Sequence, residues 1–234
     1  MSKTEYLFEP APVYSLPVRG TNARLPVKRI FCVGRNYHAH AVEMGNPVDK
    51  TTMCPFYFLK DASALVESGA TVPYPTGTNN YHYEMELVVA IGKPGFRVSE
   101  ADAEAMVFGY AAGLDMTRRD LQLVAREQGR PWDLGKNFER SAVCSEIAPA
   151  KGVIDKGAIA LQVNSESRQS SDVSMLIWNI RELITDLSKF YHLEPGDLIY
   201  TGTPEGVGTV KPGDVITGQI EGVGEIALTI GEAE

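Results

Sequence analysis

The 234-residue chain has only three cysteines, Cys32, Cys54 and Cys144, and no block of Lys or Arg anywhere. The cysteines are scattered, odd in number and without metal-ligand spacing, which excludes a disulfide scaffold or a zinc knuckle and reads as reduced thiols. A net charge of −8 and a pI near 5.1 argue against nucleic acid as a partner. No stretch approaches the roughly 20 apolar residues of a membrane span, and the first residues lack the apolar core of a secretory signal. The expectation is a soluble, cytoplasmic protein. A nucleotide cofactor is not implied either: the Gly-rich run from Thr201 to Gly208 lacks the Gly-Lys-Ser/Thr of a phosphate loop, and no dinucleotide fingerprint stands between a strand and a helix.

What is present suffices for one large domain, with 44% hydrophobic residues. Residues 1–27 carry Pro10, Pro12, Pro17 and Pro26 with little periodicity and read as an arm that packs on something else, leaving 28–234 as the folding unit. Regular structure is expected from Val27 to Val33. Ser99 followed by Asp102 resembles a capping box and starts a helix, and a stronger helix runs from Thr117 to Gln128, stopping at Gly129-Arg-Pro131. Ile177, Ile180, Ile184 and Leu187 recur with helical spacing, which predicts a core-packing helix over 174–190. Beyond it the chain turns β-rich. Two similar turns, Glu194-Pro-Gly-Asp197 and Lys211-Pro-Gly-Asp214, lead into strands at 198–201 and 215–220, with a third at 225–230, suggesting a folded-over β-roll.

Three acidic residues carry the chemistry. Glu84 and Glu86 sit in the run Tyr83–Ile91, and Asp115 ends the run Phe108–Asp115; both runs are short, apolar and bounded by turn formers, so both read as strands. Side chains two apart on a strand share a face, roughly 7 Å apart. Glu-x-Glu pairs commonly line the solvated face of an edge strand. Here, however, Leu87–Ile91 is apolar on both faces, the pattern of a covered strand. Two carboxylates buried on one face repel each other unless a cation neutralises them. We therefore read Glu84, Glu86 and Asp115 as metal ligands. An all-oxygen set favours a hard cation, Mg²⁺ or Mn²⁺, admits Ca²⁺ and disfavours Zn²⁺.

Two of the four histidines fall in the segment Phe31–Met44. A turn of helix from Tyr37 would place His40 and Glu43 at i,i+3 on one face, where a carboxylate can orient an imidazole and raise its basicity. Such a dyad can activate water as a general base; a surface or capping histidine would show the same spacing. His38, His82 and His192 keep that plainer reading.

Taken in order, Gly34-Arg-Asn-Tyr-His-Ala-His40-Ala-Val-Glu43, Tyr83-Glu84-Met-Glu86-Leu, Gly113-Leu-Asp115-Met-Thr-Arg-Arg119-Asp, Lys136 and Tyr200-Thr-Gly-Thr203-Pro-Glu-Gly-Val-Gly208 resemble the fumarylacetoacetate hydrolase family, in its short acylpyruvate and fumarylpyruvate hydrolase branch. The resemblance spans roughly residues 28–232. It implies an α+β fold, the family's mixed β-sandwich roll with a few flanking helices, a homodimer, a central Mg²⁺ or Mn²⁺, and a small keto-acid substrate. It assigns Glu84, Glu86 and Asp115 to the metal and His40 with Glu43 to water activation. By the same resemblance Lys136 contacts the substrate beside the metal, Arg119 and Gln122 bind substrate from one helix face, and Thr203 donates to the substrate carboxylate.

The sequence departs from the large family members. Residues 1–27 are too short for their N-terminal domain, and their additional metal aspartate would fall near Val33, leaving three protein carboxylates. Arg126 stands where the large enzyme carries a tyrosine, and a second cation there would suit a second substrate carboxylate. The expected reaction is therefore hydrolytic carbon–carbon cleavage of a 2,4-dioxo acid, fumarylpyruvate to fumarate and pyruvate. The alternatives are decarboxylation of oxaloacetate or tautomerisation or isomerisation of a keto acid on the same metal site, and, more distantly, a metal-stabilised binding protein without activity. Residues 41–54 are the expected location of a segment that orders over the dyad.

Overall fold

The computed structural model describes residues 4–233. Its centre is an eight-stranded mixed sheet running in the order Phe56–Lys60, Arg29–Gly34, Asp197–Tyr200, Met85–Ile91, Val107–Asp115, Ala142–Cys144, Leu65–Glu67, with Ala148–Pro149 paired onto Val107–Asp115. A five-stranded sheet follows the order Glu166–Asp172, Ala158–Val163, Val215–Ile220, Gly224–Ala233, Thr71–Tyr74. A small sheet joins Thr117–Arg118, Tyr81–Tyr83 and Gly208–Val210. Five short α-helices flank them: α1 His38–Glu43, α2 Glu100–Ala103, α3 Arg119–Glu127, α4 Asp133–Lys136 and α5 Ile180–Leu187.

The strand Met85–Ile91 is buried at all seven positions, as its unbroken apolar run requires. Alternate residues serve two cores. Met85, Leu87, Val89 and Ile91 join the larger one, which also holds Ile180, Ile184 and Leu187 of α5, while Val88 and Ala90 join a second built around Leu16, Leu25, Ile30 and Tyr200. Glu86 shares the parity of Val88 and Ala90 and lies near the end of the strand.

Several expectations shift in detail. Regular structure begins before Val27: Ser15–Pro17 and Arg24–Pro26 pair antiparallel, and the arm places Leu16, Val18, Leu25 and Val27 in the second core. The run Tyr83–Ile91 is not one strand; it breaks at Glu84, between Tyr81–Tyr83 and Met85–Ile91, which belong to different sheets. The helix expected from Thr117 starts at Arg119, because Thr117 and Arg118 pair with His82 and Tyr81. The helix expected over 174–190 shortens to α5. Asn36 is the reason: its carbonyl accepts the Ile177 N–H at 2.8 Å and its side-chain oxygen accepts the Trp178 N–H at 2.8 Å. Asn179 and Glu182 then close a capping box that fixes the helix start at Ile180.

Other details hold. Ser99 caps α2, accepting from the Asp102 N–H. In both Pro-Gly turns the Asp side chain accepts the N–H three residues back, Asp197 from Glu194 at 2.8 Å and Asp214 from Lys211 at 2.9 Å. The strands Asp197–Tyr200 and Val215–Ile220 follow, and the last expected strand extends to Gly224–Ala233.

Candidate active site

Three elements deliver the carboxylates to one point. Asp115 closes the strand Val107–Asp115, and its N–H donates to the Glu84 carbonyl at 2.9 Å, which pins the interruption between strands at Glu84 beside it. Glu86 lies opposite Gly113 in the pairing of the two central strands. One oxygen from each of Glu84, Glu86 and Asp115 falls within 4.8 Å of the others, and all three residues are buried. A hard divalent cation takes oxygen ligands of this kind, and these three carboxylates are the residues that would hold it.

Buried cations surround this cluster. Lys136 Nζ donates to Glu84 Oε2, Asp115 Oδ2 and Thr117 Oγ1, each at 2.7 Å, and Arg119 forks between Glu84 Oε1 and the Gln122 side-chain oxygen. Burial opposes ionisation of Glu84, but Lys136 and Arg119 together outweigh it and hold the carboxyl below its usual range. For Lys136 burial likewise opposes the charge, and Asp115 and Glu84 overcome it.

Glu86 is different. Burial, then the charges of Asp115 and Glu84, push its pKa well up, and its one donor is the Gly202 N–H at 2.7 Å. Asp115 Oδ1 also lacks a directed hydrogen bond. Lys60 Nζ stands 2.9 Å from it as a charge, yet the donors of Lys60 go to the carbonyls of Met116 and Lys136 and to Ser141 Oγ. A raised carboxyl and an orphaned buried carboxylate oxygen in one cluster are what a hard divalent cation would satisfy. The donor set therefore fits Mg²⁺ or Mn²⁺.

The dyad lies across the same cavity. His40, on α1, is buried, and its Nδ1 is 3.1 Å from Glu43 Oε2. Glu43 is held ionised first by the His40 hydrogen bond, against partial burial, and then by the Gly206 N–H, which donates to Oε1 at 3.1 Å. An ionised Glu43 accepting from Nδ1 leaves Nε2 as the basic nitrogen. Gly206 has φ +91°, and a Cβ there would stand 2.0 Å from the Arg168 carbonyl, so no other residue fits this contact.

His40, Glu84, Glu86, Asp115, Arg119, Gln122, Lys136 and Thr203 all line one cavity, closed on its other sides by Arg35, Met44, Phe58, Arg126 and Trp132. Glu43 borders it through His40. The structure thus brings together every residue singled out from sequence, although Lys136 spends its donors on the carboxylates and Thr117. Thr203 Oγ1 accepts from Gln169 Nε2 at 2.8 Å, which leaves its proton free for a ligand. In the loop over 41–54, Lys50 reaches Glu182 of α5 at 2.7 Å.

Sequence reading passed over several supports. Lys60, fully buried at the end of a strand that otherwise holds three aromatic residues and Leu59, is the cation beside Asp115. Gln169 fastens the Thr203 turn to the metal strand, accepting from the Met85 N–H at 3.0 Å. Asn36 ties Thr201 to Trp178. His82 sits against Arg119 at 3.4 Å, and burial and that charge lower its pKa to about 4, keeping it neutral. A lone Lys in a largely aromatic strand was the one visible signal.

The family profile described as fumarylacetoacetate (FAA) hydrolase, C-terminal, matches residues 29–231. A fumarylpyruvate hydrolase of Ralstonia sp is 67% identical over 192 residues, spanning 82% of this chain and all of that protein. A mitochondrial oxaloacetate tautomerase of Mus musculus is 41% identical over 209 residues, 88% of this chain and 93% of that one. Among solved structures, the fumarylpyruvate hydrolase from Pseudomonas aeruginosa in complex with Mn²⁺ and pyruvate superposes with a TM-score of 0.93 at 49% identity, covering 97% of this chain and all of that one.

Proposed function

The chain belongs to the fumarylacetoacetate hydrolase family, and we propose that it is a metal-dependent hydrolase that cleaves fumarylpyruvate to fumarate and pyruvate. One observation carries the reading: three buried carboxylates and a His40–Glu43 dyad face a single cavity. Glu84, Glu86 and Asp115 hold Mg²⁺ or Mn²⁺, which supplies Lewis-acid stabilisation of the negative charge that develops on the pyruvyl end of the substrate.

The protein's own groups perform the rest. Arg119, Gln122 and Thr203 bind and orient the 2,4-dioxo acid. Lys136, charged and fixed between Glu84 and Asp115, helps to keep Glu84 ionised and lends positive charge where the enolate forms. His40 Nε2 takes a proton from water as the oxygen adds to the C4 carbonyl, and Glu43 stabilises the resulting imidazolium. The C3–C4 bond then breaks. C4 leaves as fumarate, the electron pair passes to C3 and the C2 oxygen as pyruvate enolate, and the proton held on His40 is available for C3. Water and fumarylpyruvate are thereby converted to fumarate and pyruvate.

Residues 28–234 form the catalytic unit in this reading. The arm before them, with Tyr6, Leu7, Phe8 and Val13 exposed, contributes to a homodimer, which sedimentation or light scattering would test. Among the described residues no helix is long and apolar enough to cross a membrane.

The mouse relative supports a second reading, keto–enol conversion of oxaloacetate, because the same pyruvyl enolate is stabilised in both. Loss of the fumarylpyruvate enol absorbance with Mn²⁺, beside an EDTA control and a matched oxaloacetate assay, decides between them. Chelator-sensitive formation of fumarate and pyruvate supports the hydrolase. Oxaloacetate conversion with fumarylpyruvate untouched would overturn it.

A further inference from the structure

Two guanidinium groups in the cavity have no anionic partner. Arg35 and Arg126 both line it, and among the described residues neither forms an ion pair. Arg126 Nη1 donates to the Met44 carbonyl at 3.1 Å, and the Arg35 guanidinium lies 6.0 Å from the ring centres of both Phe56 and Trp132. Burial and then the charge of Arg126 lower the Arg35 pKa. Two like charges facing one partly desolvated space repel each other, and an anion placed between them relieves both costs.

The backbone gives an independent sign. Arg35 has φ +59°, a conformation that costs an L-residue roughly 1 kcal/mol and that glycine adopts freely. The next residue, Asn36, is anchored by its side chain, which donates to the Trp178 and Thr201 carbonyls. The strained position directs a long cationic side chain into the cavity where a glycine would have been easier to accommodate.

We infer that Arg35 and Arg126 form the subsite that takes the distal carboxylate of a dicarboxylate substrate. This rests on the hydrolase reading above and names the residues that select its substrate. The geometry fits the length required. Arg119, Gln122 and Arg126 stand at i, i+3 and i+7 on α3 and all face the cavity. Seven residues of helix advance about 10 Å from the Arg119 end, which touches metal ligand Glu84, to the Arg126 end. A seven-carbon chain spans about 7 to 8 Å when extended. The two lengths are of the same order, so a dicarboxylate of this length suits a cavity lined by the carboxylates at one end of α3 and by Arg126 at the other. Phe58 and Trp132 would flank the flat alkene between them.

The test compares kcat/KM for fumarylpyruvate with that for 2,4-dioxopentanoate, which keeps the dioxo acid end but has a methyl group in place of the distal arm. In Arg126→Met and in Arg35→Gly the ratio should fall by about 10- to 100-fold, the range for losing a hydrogen-bonded contact to a charge. Arg126→Lys should retain part of it, having the charge without the fork. Arg35→Gly should fold with an unlowered Tm, because glycine suits that backbone, so a fall in the ratio would not be a folding defect. An unchanged ratio in both variants, or an equal fall for both substrates, overturns the inference while leaving the hydrolase reading in place. A wild-type enzyme that turns over only the methyl analogue overturns the reading and the subsite together.

Discussion

Addition of Mn²⁺ to EDTA-treated protein at neutral pH should raise its Tm, and the size of the rise follows from the site. Glu84 and Glu86 meet Asp115, about 30 residues further along, only in the folded chain, where the pairing of Met85–Ile91 with Val107–Asp115 brings them together, so the unfolded state has no matching site. At 100 times Kd the stabilisation is about 2.7 kcal/mol. For a chain of 234 residues, at about 2–4 °C per kcal/mol, the expected rise is about 5–11 °C. Differential scanning fluorimetry over a Mn²⁺ titration reads it directly.

Glu86→Gln makes the prediction specific. In the metal-free protein the Glu86 carboxyl is pushed toward its neutral form by burial and by Asp115 and Glu84, and an amide of the same shape keeps an oxygen to accept from the Gly202 N–H. The variant should therefore melt no lower than wild type in EDTA, since a neutral amide replaces a carboxyl that burial and its neighbours already push toward neutrality. With Mn²⁺ it should lose at least half of the shift, because a neutral oxygen replaces a carboxylate ligand. No shift in wild type, or a full shift in the variant, would refute the metal assignment and leave a buried ion network neutralised by Lys60, Lys136 and Arg119.

Three further outcomes follow from named contacts. His40→Ala should lower turnover by about 10² to 10⁴ while keeping the Mn²⁺-induced Tm shift; loss of the shift would mark His40 as structural. Lys60→Met leaves Asp115 with one fewer buried cation and should cost about 3–5 kcal/mol in urea unfolding, whereas a loss below about 1 kcal/mol would show that Lys60 does not hold that charge. Gly206→Ala places a methyl against the Arg168 carbonyl and displaces the N–H that fixes Glu43, so turnover should fall at least about tenfold with the metal shift intact; unchanged turnover would show that Gly206 does not position the dyad.

The acidic pair was legible because Leu87–Ile91 is apolar on both faces, which placed any side chain on that strand indoors before a structure existed. The helix boundary at Ile180 was not. Periodicity from Ile177 onward suits a helix, and what overrides it is a hydrogen-bonding claim by Asn36, more than 140 positions away. The break at Glu84 was hidden for a related reason: strand propensity does not report that Tyr81–Tyr83 and Met85–Ile91 leave for different sheets. Local chemistry could be read where one segment decides it, and failed where two distant segments share a donor or a sheet edge.

The same distinction explains why the carboxylates were easier to find than the charges that balance them. Glu84, Glu86 and Asp115 follow from strand pattern, whereas Lys60, Arg119 and Lys136 come from three separate elements and meet only after folding. With all three carboxylates ionised, as holding a cation requires, the three buried cations Lys60, Arg119 and Lys136 balance them one for one. A divalent cation then adds two positive charges to a desolvated space, and a chelating dioxo acid that becomes an enolate adds two negative ones. Neutrality is restored only when ion and reacting ligand are present together, so the protein's own charges favour the enolate state over an ion held alone. This preference acts at the pyruvyl end, which hydrolysis and keto–enol conversion share. Under the inference above, the choice between those reactions is made at the far end of the cavity, where Arg35 and Arg126 form no ion pair among the described residues.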